Sequence, residues 1–497
     1  MTDKEREPQE RADTLAGGVF VMLAVTVLQR GIGFARNLVL CRVLDAGELG
    51  RWSLAFSFLL LTAPLIVFGL PGTFGRYVES YRRRGQLRDF LRRIGLVCCA
   101  ATVTATLFMV AAHGRVSYWL FHDDGRTGLV ITTAAALFIV TAANFVAELL
   151  MALRWARVLS ILEFLNSLVF TAVAVGGVLL ADAGAAAVLI GFASGAMVTL
   201  LGGTWVLLHN AMHFDAADDL VEPQSGIWRT VLPFAGWMWV TNLCANLFDT
   251  ADRFMLVHLS GLSDADAIVG QYHAGRVVPL MLVSIAGMLS GVVLPHLVAD
   301  WEAGRSEQLA GRLNRMVEWS LIGFTACGVG ILGSSGWLFG WLLGGKYDAG
   351  LSILPWTLVY SIWFGTMMLM QNYLWCLEQA RAVVSVYIVG IVVNLGLNAW
   401  WIPLDGLNGA VWATTLSLAI GVVATQRACA RHGFTWSHTN RWLWLLPVSL
   451  VAGPLVGAVF VAAALVVLHQ RGVIAESLLV LPRWRSREAT EGGALSR

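Results

Sequence analysis

The sequence predicts an all-α integral membrane protein with about 12 to 14 transmembrane helices, and two observations carry this prediction. Of the 497 residues, 57% are hydrophobic and only 13% are charged, whereas ordinary soluble domains are about 25% charged. The apolar residues also form long blocks separated by short polar stretches. Because a helix needs roughly 20 apolar residues to cross a bilayer, these blocks predict spanning helices.

Twelve blocks have the length of a membrane span, followed by one less regular apolar stretch. The predicted spans cover residues 15–40, 52–70, 94–113, 128–150, 159–180, 185–208, 228–259, 268–298, 316–343, 351–375, 383–401 and 409–428. No small-x-small cleavage site follows the first block, so we interpret it as a spanning helix rather than a signal peptide. The last stretch, 442–468, contains Pro447 and Pro454 and leaves 13 or 14 helices open.

Arginine and lysine are concentrated in alternate loops, which predicts the orientation in the membrane. The basic loops include the run Tyr81-Arg-Arg-Arg84 with Arg88, and they lie on the same side as the amino terminus. The positive-inside rule therefore predicts a cytoplasmic amino terminus. We expect a multi-pass protein of the cell inner (plasma) membrane. The arginine run is suited to anionic headgroups of membrane lipids, and it could also gather an anionic substrate.

An internal repeat predicts two lobes. The stretch Glu48-Leu-Gly-Arg-Trp-Ser53 resembles Ile268-Val-Gly-Gln-Tyr-His273, and Asp182 and Asp405 occupy a second similar pair of stretches. A six-helix repeat implies a pseudo-twofold axis along the membrane normal with a cavity between the lobes. The predicted organisation is a cytoplasmic N-terminal tail (1–14), a first lobe (15–209), a cytoplasmic linker (210–227), a second lobe (228–430), a C-terminal transmembrane segment or segments (431–482) and a polar tail (483–497).

Polar residues within the spans mark the candidate site, because a charge at bilayer depth costs roughly 2.5–3.5 kcal/mol on insertion scales. At 100° per residue, one arc of the first helix and a similar arc of the seventh each carry a polar stripe. With Arg276 of the eighth helix, these arcs supply the candidate substrate-binding residues Arg30, Arg36, Asn37, Asn242, Asn246 and Arg276 and the candidate ion-coupling residues Asp249 and Arg253.

Each of these residues also has a purely structural interpretation. Asp249 and Arg253 are spaced to form a neutralising ion pair, and Arg276 could reach an interface with its long side chain. Asp252 points away from the stripe, which favours a helix-end cap or a partner for Arg276. Glu148 and Glu163 are more typical of interfacial ion pairs with nearby arginines than of proton carriers. Asn394 and Asn398, one turn apart, favour hydrogen bonds that hold helices together.

The sequence lacks the usual signatures of soluble enzymes. It contains no GxxxxGK[ST], HExxH or GxSxG motif, so we expect no catalytic residues, no ATP hydrolysis and no enzyme activity. Its seven cysteines show no metal-ligand spacing, and we expect no metal and no cofactor. The dispersed basic residues and the formal net charge of +2 give no reason to expect nucleic-acid binding.

Three stretches resemble the polysaccharide or oligosaccharide flippases (O-antigen flippase-like) of the multidrug/oligosaccharidyl-lipid/polysaccharide exporter (MOP) superfamily. The first runs from Gly31-Ile-Gly-Phe-Ala-Arg-Asn37 through Leu44-Asp-Ala-Gly-Glu-Leu-Gly-Arg-Trp-Ser-Leu-Ala55 to Phe68-Gly-Leu-Pro-Gly72. The second is Asp249 with Asp252-Arg-Phe-Met-Leu256 and Val269-Gly-Gln-Tyr-His-Ala274. The third is Asn394, Asn398 and Ile402-Pro with Gly406-Leu-Asn-Gly-Ala-Val-Trp-Ala-Thr414. Together they span most of residues 15–430.

The resemblance implies transport by alternating access of an undecaprenyl-diphosphate-linked oligosaccharide from the inner to the outer leaflet, for export of a cell-surface polysaccharide such as the O-antigen of lipopolysaccharide. It also implies a cationic cavity, for which Arg30, Arg36 and Arg276 are the matching positions. Membrane lipids and proteins of polysaccharide polymerisation or assembly are the other expected partners. A multidrug antiporter or a lipid II flippase of the same superfamily is the main alternative, and a membrane-embedded polymerase or ligase is the alternative from another class. The sugar and the coupling ion stay open.

Overall fold

The computed structural model describes residues 6–123, 125–210, 226–262, 264–437 and 442–470, and within these residues it contains helices and no strands. The bounds of the helices are α1 Arg6–Val43, α2 Ala46–Ile66, α3 Phe74–Arg83, α4 Leu87–Ala111, α5 His113–Phe121, α6 Thr127–Ala152, α7 Ala156–Ala181, α8 Gly184–His209, α9 Ile227–Leu259, α10 Ala265–Val277, α11 Pro279–Glu302, α12 Ser306–Gly333, α13 Ser335–Trp337, α14 Asp348–Cys376, α15 Ala380–Arg431 and α16 Pro454–Gln470.

The predicted all-α membrane class is confirmed. Ten helices in the described part of the chain are long and apolar enough to cross a membrane. One of them, α15, has non-helical backbone at Gly406 (φ 52°, ψ −119°), which separates the predicted spans 383–401 and 409–428. After residue 442 the structure shows a short 3₁₀ segment, Leu446–Ala452, and then α16. The question of a fourteenth helix falls on 471–497, outside the described residues.

Two predicted spans are interrupted rather than continuous. α2 ends at Ile66, and Phe68 and Gly69 both adopt left-handed φ values (51° and 66°) before a 3₁₀ turn at Pro71–Thr73 leads into α3. The predicted span 268–298 breaks between α10 and α11, where Pro279 begins the second helix. Proline cannot donate the backbone hydrogen bond that a continuous helix needs, so a new helix starts there.

The chain forms two compact units whose limits differ from those of the predicted lobes. The first unit extends to Val277 and also includes Phe339–Ala349 and Leu395–Ala410. The second consists of Val278–Leu338, Gly350–Asn394 and the described part of Val411–Arg497. Helices α9 and α10 therefore pack with the first unit. The predicted linker lies almost entirely outside the described residues.

Within the first unit, α2 and α10 cross at two glycines. A methyl group added to Gly50 would lie 2.7 Å from the carbonyl carbon of Asp266 and 2.9 Å from the nitrogen of Gly270. One added to Gly270 would lie 2.7 Å from the carbonyl carbon of Ala46. In the sequence repeat Gly50 corresponds to Gly270 and Ala46 to Asp266, so the two contacts are related by the repeat. This reciprocal contact supports the predicted pseudo-twofold relation between the repeats.

The second unit is held by hydrogen bonds between its helices and their connections. Trp363 Nε1 donates to the carbonyl of Trp444 at 2.7 Å, and Asn394 Nδ2 donates to Thr414 Oγ1 at 3.2 Å. The latter bond joins the two helical segments of α15 on either side of Gly406, which is the contact between spans that the sequence favoured for Asn394. Asp300, which is buried, forms ion pairs with Arg305 and Arg312 at 2.9 and 2.6 Å.

Candidate functional site

A charged cluster forms in the first unit where α9 lies beside α10. Asp249 and Arg253 are one turn apart on α9, with Oδ2 and Nη1 3.9 Å apart. Arg276, in the last turn of α10, brings Nη2 to 3.1 Å from Asp249 Oδ1. The two arginine side chains are 6% exposed, whereas the Asp249 side chain is 44% exposed. One accessible carboxylate is therefore the shared partner of two buried guanidinium groups.

Neighbouring side chains contact both arginines, through a hydrogen bond to Arg253 and a cation–π contact with Arg276. Arg253 Nη1 donates to Ser57 Oγ of α2 at 2.7 Å, and the Arg276 guanidinium lies 4.8 Å from the centre of the Tyr272 ring. Ser53 Oγ of α2 lies 3.2 Å from His273 Nδ1. The interpretation of Arg276 as an interfacial residue is therefore wrong, because α10 packs its last turn against α9 and places the guanidinium beside Asp249.

A second acidic group lies behind this cluster. Asp252 is 1% exposed and accepts hydrogen bonds from the Tyr272 hydroxyl and from Asn398 Nδ2, each at 2.7 Å. The expectation that Asp252 caps a helix end is wrong, since α9 continues to Leu259 and Asp252 is buried within it. The other expectation, that Asp252 pairs with Arg276, stays a prediction. Asn398 fulfils its predicted role as a contact between helices. No local sequence signal indicates this network, because Asp252, Tyr272 and Asn398 are far apart along the chain.

The candidate residues of α1 have a different environment. The Arg36 guanidinium lies 3.7 Å from the centre of the Phe170 ring, and its Nη1 is 3.5 Å from Thr171 Oγ1. Arg30 is exposed and Asn37 is half-buried. Part of the α1 stripe is therefore lined by α7, and these residues contact a different set of side chains from Asp249, Arg253 and Arg276.

Asn242 and Asn246 continue the α9 stripe towards the amino end of that helix. Both are half-buried. Asn242 lines a cavity of about 360 Å³ together with Thr141, Asn144 and Glu148 of α6. At 1.5 Å per residue, Asn242 lies about 10 Å along α9 from Asp249. The stripe thus extends from a polar cavity at one end to the charged cluster at the other.

The two isolated glutamates have no ion pair with Arg154 or Arg157 within the described residues, so the expected interfacial pairs are not present there. Glu163 instead lies beside the Gln29 side chain. Glu148 faces the cavity that it shares with Asn242. The structure therefore assigns these two carboxylates to different surroundings.

Outside the spanning segments, one carboxyl group has a strongly altered acidity. Burial raises the pKa of Asp266, at the start of α10, to about 6, although Arg51 and Arg126 act in the opposite direction. In the loop before α6, hydrogen bonds from the Gly125 backbone and from Arg126 lower the pKa of Asp123. No group of three or more His, Cys, Asp or Glu residues that could hold a metal ion occurs in the part of the chain that the structure describes.

One family model and several solved structures match this chain. Residues 15–299 match the family model described as "Polysaccharide biosynthesis protein". The fold is similar to the lipid II flippase MurJ in an inward closed conformation, with a TM-score of 0.68, 11% identity, and coverage of 93% of this chain and 100% of that chain.

Two other solved structures also share the fold. An inward-facing multidrug resistance MATE family transporter of the MOP superfamily has a TM-score of 0.63 and 13% identity, covering 83% of this chain and 97% of that one. A MATE transporter from Vibrio cholerae has a TM-score of 0.54 and 12% identity, with coverage of 84% and 97%. No curated protein matched the sequence. At these identities the likeness shows a shared fold.

Proposed function

Because the chain belongs to the polysaccharide biosynthesis protein family, whose model matches residues 15–299, we propose that this membrane transporter flips an undecaprenyl-diphosphate-linked oligosaccharide. The substrate moves from the inner to the outer leaflet of the cell inner membrane by alternating access. The amino terminus is cytoplasmic in this proposal, and the exported sugar feeds assembly of a cell-surface polysaccharide such as O-antigen. Proteins of polysaccharide polymerisation are the partners that would receive it.

The observation that carries the proposal is the pair of buried arginines around one accessible carboxylate. A diphosphate binds well to arginine because the guanidinium fork makes charge-assisted hydrogen bonds and stays protonated. Asp249 is 44% exposed, so an arriving phosphate can compete with it for Arg276, whose Nη2 is 3.1 Å from its carboxylate. In this mechanism Asp249 is the counter-anion when the substrate is absent, and the diphosphate takes its place during transport.

The remaining candidates follow from this arrangement. Arg30, Arg36 and Asn37 of α1 contribute further contacts for an anionic headgroup, and Asn242 and Asn246 of α9 contact its polar part. Asp249 and Arg253 couple the change of partner to the conformational change, because Arg253 also holds α2 through Ser57. The Arg36 guanidinium carbon lies 3.7 Å from the centre of the Phe170 ring, a cation–π contact that holds the positive charge at this position.

Lipid II is a second candidate substrate of the same chemical class, and the likeness to the lipid II flippase MurJ favours it. A cationic drug is a poorer match to this cluster. Asp249 already has Arg253 and Arg276 within 4 Å, and both arginines would repel a second cation. Removing an arginine should therefore weaken the binding of a diphosphate-linked lipid and strengthen the binding of a cationic drug.

The test is binding of a labelled prenyl-diphosphate oligosaccharide to the purified chain and to Arg276→Ala, Arg36→Ala and Arg30→Ala variants. We expect Arg276→Ala to bind at least about tenfold more weakly, since truncating one partner of a buried charged contact costs about 2–5 kcal/mol. Arg36→Ala and Arg30→Ala should weaken binding less, because Arg36 is half-buried and Arg30 is exposed. Arg229→Ala, in the first turn of α9, is the matched control and should bind like the natural chain. Equal affinity in all five proteins would contradict the proposal.

A further inference from the structure

A largely apolar cavity of about 450 Å³ lies in the first compact unit, between α2, α4, α5 and α6. Met109 of α4 and Leu137 of α6 are buried in its walls, whereas Phe108 of α4 and Trp119 of α5 are exposed. Arg115 of α5 is the one charged residue that lines it in the described part of the chain. The cavity is therefore an apolar pocket that reaches the surface of the chain and carries a single positive charge.

This cavity is separate from the other sites of the first unit. It shares no lining residue with the polar cavity at Glu148, and neither Asp249 nor Arg276 lines it. At 1.5 Å per residue, Phe108 lies about 30 Å along α4 from Arg88, which belongs to the basic loop after α3. The contacts that we propose for the transported substrate therefore leave this cavity without a role.

The lining favours a hydrocarbon chain over water. A buried water makes about three hydrogen bonds, whereas most of the side chains around this cavity are aliphatic or aromatic. Protein interiors are also close-packed, with few voids larger than one water molecule. In a chain that crosses a membrane, the apolar material available to fill such a space is lipid. At roughly 30 Å³ per water-sized group, the cavity accommodates about 15 methylene-sized groups, which matches one acyl chain.

Arg115 is suited to the headgroup of such a lipid. It is exposed on α5, and no carboxylate forms an ion pair with it among the residues that the structure describes. A guanidinium group binds phosphate through charge-assisted hydrogen bonds. Because no acidic side chain balances this arginine, it favours a headgroup with a net negative charge over a zwitterionic one.

We propose that this cavity binds one acyl chain of an anionic phospholipid, such as phosphatidylglycerol, with the phosphate on Arg115. The lipid comes from the surrounding bilayer rather than from the transported substrate. An undecaprenyl chain is several times longer than the chain that this volume accommodates, whereas a phospholipid acyl chain fits it. The site is thus a fixed lipid-binding site of the transporter, apart from the route of its cargo.

The bound lipid holds α5 against α9. The Trp119 ring stacks on Phe254 with centroids 5.4 Å apart, and His258 Nε2 donates to the Trp119 carbonyl at 2.9 Å. Phe58, which also lines the cavity, meets the Trp119 ring edge-on at 6.3 Å. Phe254 directly follows Arg253 of the charged cluster. An occupied cavity therefore supports the aromatic contact that positions this part of α9.

The test is photocrosslinking of the purified full-length chain in lipid nanodiscs, with a phosphatidylglycerol probe that carries a diazirine on its acyl chain. A phosphatidylcholine probe with the same acyl chain is the comparison. We expect labelling of the peptides that contain Met109 and Trp119, about fivefold stronger with the anionic probe. Arg115→Ala should remove this preference. Arg88→Ala is the matched control, an exposed arginine near the opposite end of α4, and should leave the labelling of these peptides unchanged.

Ala105→Trp is a second variant, which fills the cavity and retains Arg115. Ala105 lines the cavity, so a tryptophan there occupies the space of the acyl chain, and labelling should fall with both probes while the melting temperature is kept. Equal labelling by the two probes in the natural chain would overturn the proposal, as would undiminished labelling of both variants. Preferential labelling by a prenyl-phosphate photoprobe would also overturn it and assign the cavity to the substrate chain. Since no transport is measured, these outcomes do not depend on the proposed function.

Discussion

The crossing of α2 and α10 provides the most quantitative prediction. Replacing Gly50 with alanine adds a methyl group 2.7 Å from the Asp266 carbonyl carbon, whereas non-bonded carbon atoms prefer about 3.5–4.0 Å. The carbonyl oxygen of Asp266 lies closer still to the added methyl group. Because this obstacle is backbone, which has no alternative rotamer, the helices must move apart. Overpacking of this kind costs about 1–3 kcal/mol.

Gly323→Ala is the matched control. Gly323 lies in the interior of α12, is exposed, and has no neighbouring atom within 4 Å of an added methyl group. Alanine there should stabilise the helix by about 0.5–1 kcal/mol because glycine loses more conformational entropy on folding. The difference between the Gly50→Ala and Gly323→Ala variants should thus be about 1.5–4 kcal/mol.

The assay is thermal unfolding of the purified variants in one detergent, followed by tryptophan fluorescence. We expect Gly50→Ala and Gly270→Ala to melt below the natural chain by similar amounts, because the two glycines make reciprocal contacts. Their double variant should lose less than the sum of the single losses, since both changes are relieved by the same separation of helices. A Gly50→Ala chain as stable as Gly323→Ala would refute the close packing.

Three further substitutions test other parts of the structure. The pKa of Asp266 in the folded chain is about 6, above the ordinary 3.8, so the natural chain should lose stability as the pH rises through about 6. Asp266→Asn should remove this loss of stability. Comparing the melting temperatures of both chains at pH 4 and pH 7.5 checks this prediction. Tyr272→Phe should destabilise by about 1.5–3 kcal/mol because buried Asp252 loses a hydrogen bond, measured by chemical unfolding. Lys346→Ala removes the amine that contacts the Arg42 carbonyl at 3.1 Å and should cost only about 0.5–1 kcal/mol, measured in the same way, since this contact is exposed.

The sequence predicted the spans well because hydrophobic blocks of about 20 residues have few alternatives in a bilayer. The polar stripe of α9 was also predictable, since helical periodicity alone brings Asn242, Asn246, Asp249 and Arg253 onto one face. The pairing of Arg276 with Asp249 was not, because it depends on how α10 packs against α9 after an intervening loop. The repeat did contain one unused signal, the correspondence of Gly50 with Gly270.

The cavity at Glu148 was also beyond the reach of the sequence. A charge pattern on α6 indicates which residues share a face, but it does not show that α2 stops at Ile66. The motif Phe68-Gly-Leu-Pro-Gly72 indicated a turn through its glycine and proline residues. The close contact of Gly69 with α9 became visible only in the structure.

The most direct test of the central claim is transport by the natural chain reconstituted into vesicles, with a labelled prenyl-diphosphate oligosaccharide and a fluorescent cationic drug measured side by side. Our account predicts that the lipid-linked sugar reaches the opposite leaflet, that Arg276→Ala abolishes this movement, and that the drug is not transported. Transport of the drug without movement of the lipid-linked sugar would contradict the account and identify the chain as a multidrug antiporter.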